Sequence, residues 1–120
     1  MAARAVTFLL VPRFSMIALY GAMEPLRVAN RFAENAFSWR FVSADGKPVT
    51  ASNGIPVSVS GSLPDMGRPD MAMVCASYQP GAAVSRSLLT AIRKLARAKV
   101  LLAGLDTGPF LLAEAGVLDG

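Results

Sequence analysis

Asp106 stands in LLAGLDTGPFLLAEAG (101–116), with Gly104 and Gly108 two residues away on either side. The stretch reads as a buried strand running straight into a helix. The glycines relieve crowding at the bend, and Pro109 falls in the first helical turn, where a missing amide donor costs nothing. A strand–bend–helix of this kind holds up a nucleophile when its tip residue is serine or cysteine. An aspartate at the tip is favoured as an anion by the open amides and positive end of the helix, and that stabilisation makes it a poorer attacker. Capping the helix is an equally natural role for this residue type. Leu105-Asp106-Thr107-Gly108 also matches the local signature of aspartic proteases, where two such loops share a proton. That chemistry belongs to all-β chains with the loop early in the sequence. Here fourteen residues follow Asp106, and they read as helical.

Few other side chains offer chemistry. The absence of histidine removes His-based triads and the commonest zinc sites. Cys75 ends the run DMAMVC, where an apolar setting raises a thiol pKa, so it reads as an inert strand-end residue. Glu24 is singled out by Pro25, which disfavours helical geometry at the residue before it. Trp39 reads as sheet packing, whereas Tyr78, in a loop after a strand, is as well placed to line a cleft as to pack.

The elements that position these residues follow from periodicity. AVTFLLV (5–11) is a β-rich apolar run stopped by Pro12. From Met16 to about Asn35, Leu19, Met23, Leu26, Ala29 and Ala33 recur at helical spacing, and Pro25 implies either a start near Glu24 or a kink there. SWRFVSAD (38–45) reads as a second strand, and VTASNGIPVSVS (49–60) as a hairpin about Asn-Gly. DMAMVC (70–75) is a further buried strand, followed by a helix over about 83–98 with Val84, Leu88, Ile92 and Leu95 on its apolar stripe. VLLAGL (100–105) is the last strand, and PFLLAEAG (109–116) is a short helix ended by Gly116. Strands alternating with helices imply βαβ units with right-handed crossovers.

Composition narrows the class. The 120 residues allow one domain at most, 53% are apolar, and only 17% are charged. This balance fits strands buried on both faces of a helix-covered parallel sheet. No apolar run is long enough for a membrane helix, and the opening segment lacks a cleavage site after its short apolar stretch. One cysteine permits no internal disulfide, which fits a cytoplasmic location. The net charge of +4 is accounted for in part by Arg86, Arg93, Lys94 and Arg97, on the solvated side of an amphipathic helix. No DNA-reading helix is visible. The chain stops just after FLLAEAGVL, whose apolar character calls for further strands, so the expectation is a domain shortened at its C-terminal side or covered by a second copy.

Four phrases in collinear order carry a resemblance: AMEPLRVANRF, WRFVSADGKPVTASNGIPVSVSGSL, PDMAMVCASYQP and GLDTGPFLLAEAGVLDG. Together they resemble the N-terminal domain of GlxA-like regulators of the AraC/XylS family, which is similar to the ThiJ/PfpI, or class I glutamine amidotransferase-like, superfamily. The resemblance covers nearly the whole chain. It implies a flavodoxin-like α/β sandwich, mostly parallel with helices on both faces, that senses a small-molecule effector and forms a homodimer. It also implies an AraC-type helix-turn-helix domain downstream of residue 120, through which alone DNA would be bound. Asp106 falls where the enzymes of the superfamily place their nucleophilic cysteine. Glu24 matches the acid that approaches it, and Ala76-Ser77 stand where a glycine pair often helps form an oxyanion site.

These departures imply a pocket without turnover, formed by Glu24, Ala76, Ser77, Tyr78, Asp106, Thr107 and Gly108. Neither a cofactor, a metal nor a catalytic residue is expected. Should Glu24 and Asp106 meet in a partly buried site, both could not stay ionised cheaply, and the helix terminus favours Asp106 as the anion. The pair would then hold a polar or cationic metabolite. The rival reading is an amidotransferase-like hydrolase, hydratase or glyoxalase working from the same cleft.

Overall fold

In the computed structural model, which describes residues 3–118, the apolar run after Ala5 becomes the central strand of the sheet. β1 (Arg4–Leu10) lies between β2 (Phe37–Val42) and β5 (Met71–Ala76), parallel to both, and β6 (Leu101–Asp106) adds in parallel beyond β5. The order β2-β1-β5-β6 is that of a flavodoxin-like sheet. Alternate residues of β1 feed two cores, which explains why its sequence is continuously apolar. Val6, Phe8 and Leu10 face one layer and Leu9 the other. Phe8 meets Phe41 of β2 edge-to-face, with ring centroids 5.7 Å apart.

One layer consists of α1 (Met16–Phe32) and a small antiparallel hairpin, β3 (Val49–Thr50) and β4 (Pro56–Val57). The other consists of α2 (Arg86–Arg97) and α3 (Gly108–Glu114). Serine caps start the two longer helices: Ser15 Oγ accepts from the Ala18 amide at 3.2 Å, and Ser85 Oγ from that of Leu88 at 3.1 Å. The basic side chains of α2 face solvent, except that Arg93 Nε donates to the Ala115 carbonyl at 2.8 Å and so ties α2 to the end of α3. No helix among the described residues is long and apolar enough to cross a membrane.

Four boundaries differ from the sequence expectation. α2 starts at Arg86, behind the Ser85 cap, which leaves Val84 outside it at the end of a 3-10 turn over Pro80–Ala83. α1 neither starts at Glu24 nor breaks there, and runs from Met16 through Pro25. Pro25 removes the bond to the Gly21 carbonyl, but both residues are exposed, so water can take that carbonyl. β2 stops at Val42 instead of Asp45, because the chain turns where Asp45 Oδ1 accepts from the Lys47 amide at 3.0 Å. Within the loop GSLPDMGRP, Leu63–Met66 forms a 3-10 turn, and Asp65 Oδ2 accepts from the Ser62 amide at 2.9 Å. Ser-x-x-Asp is a recognisable capping signal in the sequence.

Candidate functional site

Gly104 and Gly108 set the shape of the bend after β6. A Cβ on Gly104 would fall 2.5 Å from Pro109, and one on Gly108 would fall 2.1 Å from the Val74 carbonyl oxygen. Only bare backbone lets α3 turn back this closely against β5 and β6. The residue between them takes the cost, and Asp106 adopts a left-handed φ of +57°. This is the geometry of a nucleophile elbow, with a carboxylate at its tip.

Register places Asp106 beside Ala76 of β5. The Thr107 amide donates to the Ala76 carbonyl at 3.2 Å, and its hydroxyl donates to the Ser77 carbonyl at 2.7 Å. Ala76, Ser77, Asp106, Thr107 and Gly108 therefore form one hydrogen-bonded unit at the carboxyl edge of the sheet. Ala76 and Gly108 are its buried floor, Ser77 and Thr107 are half-buried, and Asp106 is exposed. The capping role for Asp106 is not adopted. Thr107 occupies the N-cap of α3, and no side-chain oxygen there accepts from a helix amide.

Glu24 has a different partner from the one expected by pairing it with Asp106. Its carboxylate takes Arg27 Nε, one helical turn along α1, and 48% of its side chain is exposed. Among the described residues no hydrogen bond joins Glu24 to Asp106. α1 does pack across β6, through Met23 and Leu26 in the same core as Leu105.

Tyr78, 60% exposed, extends the unit toward β1. Its ring lies under the Arg13 guanidinium, 5.6 Å from centroid to Cζ, and Arg13 Nη1 donates to Gln79 Oε1 at 3.3 Å. Ser77 and Tyr78 also line an open groove of about 740 Å³ with Arg13, Thr50 and Ser52. Arg13, Thr50, Ser52 and Gln79 were not recognisable as site residues in the sequence.

Cys75 is buried on β5, and desolvation pushes its thiol up to about 12. Trp39 packs with the α1-side core while also lining a separate, smaller groove beside Arg40 and Arg68.

The chain is similar in sequence and fold to known proteins. No family model matches the chain. It is 49% identical over 113 residues to the HTH-type transcriptional regulator CdhR of Pseudomonas aeruginosa, covering 94% of this chain and 34% of that protein. It is 32% identical over 115 residues to the HTH-type transcriptional regulator GlxA of Rhizobium meliloti, covering 93% of this chain and 35% of that one. The crystal structure of an AraC family transcriptional regulator from Pseudomonas putida matches with a TM-score of 0.86 at 28% identity, over 97% of this chain and 63% of that one. A ThiJ/PfpI domain protein from Brachyspira murdochii shares the fold, with a TM-score of 0.82 at 9% identity over 100% of this chain and 68% of that one.

Over nearly its whole length the chain is thus similar to part of HTH-type transcriptional regulators, and it has the fold of ThiJ/PfpI domains. It spans about a third of the length of the two curated regulators.

Chemically, this domain presents an elbow whose carboxylate faces solvent and a cysteine held protonated inside the sheet. The all-β frame that an aspartic protease requires is absent, since the four-stranded sheet is parallel and helix-covered. What the elbow offers is an exposed carboxylate next to Thr107 and across the ladder from Ala76.

Proposed function

We propose that this ThiJ/PfpI-like domain is the effector-sensing and dimerising part of a transcriptional regulator, and that it acts without turnover. The observation that carries the reading is Asp106 at the tip of an intact elbow. A carboxylate held there can bind a cation or a hydrogen-bond donor, while thiolate chemistry has no thiol to use. The chain's one cysteine is buried and protonated, and it has no histidine to serve as a base. The effector site we assign comprises Ala76, Ser77, Tyr78, Asp106, Thr107 and Gly108, of which Ser77 and Tyr78 line the groove beside Arg13. Glu24 contributes from α1, with its charge already partnered by Arg27.

Dimerisation is supported by large apolar side chains left in solvent: Ile17 and Phe32 on α1 are 83% and 87% exposed, and Leu101 on β6 is 60% exposed. DNA binding is assigned to an AraC-type helix-turn-helix domain outside these residues, as the names of the regulators CdhR and GlxA support. The cytoplasm is the compartment in which such a regulator meets DNA.

The enzymatic rival retains one point in its favour, the preserved elbow backbone. It is tested by incubating the purified chain with methylglyoxal and with p-nitrophenyl acetate. The proposal expects no turnover above buffer. A rate that disappears in an Asp106→Asn variant would replace the sensing reading with a hydrolase or glyoxalase.

A further inference from the structure

In a sheet of order β2-β1-β5-β6, the chain leaves β1 toward one side and reaches β5 on the other. The loops after β1 and β5 diverge, and a crevice opens between the carboxyl ends of these strands, the topological switch point at which open α/β sheets bind ligands. The groove lined by Arg13, Thr50, Ser52, Ser77 and Tyr78 lies at this point. Its walls are fixed by the backbone. The Arg13 amide donates to the Thr50 carbonyl, and the Ser52 amide to that of Phe14, both at 2.8 Å, so the β3–β4 hairpin is clipped to the turn after β1.

Two residues around the groove hold left-handed backbone that neither glycine nor asparagine explains: Arg13 at φ +69° and Gln79 at φ +51°. Such strain persists where surrounding contacts over-determine it, as at binding sites. Its effect here is to bring the Arg13 guanidinium over Tyr78 and against Gln79. Both neighbours are neutral, and among the described residues no carboxylate pairs with Arg13. Of five N–H donors, one is used within the protein.

We propose that this groove binds the carboxylate of a small organic acid, with Arg13 as its receptor. A guanidinium fork matches a carboxylate in two parallel hydrogen bonds, and stacking on Tyr78 pre-orients the fork. The hydroxyls of Thr50, Ser52 and Ser77 supply further donors along the groove. Among the described residues Arg13 is the only charged one lining it, which fits a monoanion better than a phosphate dianion. The proposal rests on the reading of the domain as an effector binder, and it names the chemical class of one end of the effector.

The test is a titration of the chain with sodium butyrate and, separately, with neutral butyramide. It is followed by NMR at Arg13 Nε–H and at the Ser52 and Ser77 amides, in the wild type and in Arg13→Gln and Arg86→Gln variants. Butyrate is expected to give saturable shifts that butyramide does not. Arg13→Gln should weaken butyrate binding by about tenfold or more, while Arg86→Gln, on the solvated side of α2, stays within about twofold of wild type. Equal responses to butyrate and butyramide, no saturable response, or unchanged affinity in a folded Arg13→Gln variant would overturn the carboxylate site. If Arg13→Gln does not fold, the contrast between the two ligands in the wild type decides. Butyrate probes Arg13 and carries no cationic group for Asp106, so failure here leaves the sensing role of Asp106 standing, and failure of that role leaves this site standing.

Discussion

The Val74 carbonyl oxygen sits 2.1 Å from where a Cβ on Gly108 would lie, so the elbow and β5 touch backbone to backbone. Neither side can retreat, because Val74 is a fully buried ladder residue and Gly108 opens α3. Gly108→Ala is therefore expected to cost about 3 kcal/mol or more, through overpacking that no side-chain rotation relieves. Gly81→Ala, where a Cβ meets nothing within 4 Å, should stay within about 0.5 kcal/mol of wild type. Urea denaturation of both variants measures the difference, and equal midpoints would mean that the elbow is looser than described.

Cys75 links burial to alkaline stability. Its folded value, about 12, lies above the ordinary 9.0, so the unfolded chain loses the thiol proton first as pH rises. Stability from the buried neutral thiol is fully present below about pH 9 and falls as pH climbs from there toward 12. Cys75→Ala should remove this alkaline slope while lowering stability modestly at neutral pH. In the native wild type at pH 8, a thiol reagent should label Cys75 only as fast as the chain opens. Denaturation curves at several pH values, compared between the two proteins, check the slope.

Gly21 is an exposed helical residue four positions before Pro25, and its Cβ position is open. Gly21→Ala should stabilise α1 by about 1 kcal/mol through lower backbone entropy in the unfolded chain. The corresponding rise in melting temperature is about 4 °C. A fall instead would show that the Pro25 ring needs the room that glycine leaves.

Much of this was legible in the sequence because the period of apolar residues is a local property. β1, β5 and β6 are recognisable as short buried runs, and α2 by Leu88, Ile92 and Leu95, all three of which are buried. The elbow was legible for a different reason: Gly104 and Gly108 mark close backbone approaches whatever the tip residue is. Pro25 was ambiguous because its cost depends on whether the Gly21 carbonyl reaches water, and only the assembled fold decides that. The partner of Glu24 is a local matter that the notice given to Pro25 passed over: Arg27 lies three residues away on the same helix and pairs with the carboxylate. Arg13 was invisible because its surroundings come from Thr50, Tyr78 and Gln79, brought together by sheet register and hairpin docking.

The central claim is that Asp106 binds and does not react, and the most direct measurement compares wild type with Asp106→Asn. Asparagine tolerates the left-handed backbone and removes only the charge, so the fold should be retained. Melting temperatures are recorded with a panel of small ammonium and guanidinium compounds. The account expects at least one of them to stabilise the wild type and none to stabilise Asp106→Asn, with neither protein consuming the compound. Equal stabilisation of both proteins, or no stabilisation of the wild type by any member of the panel, would contradict it.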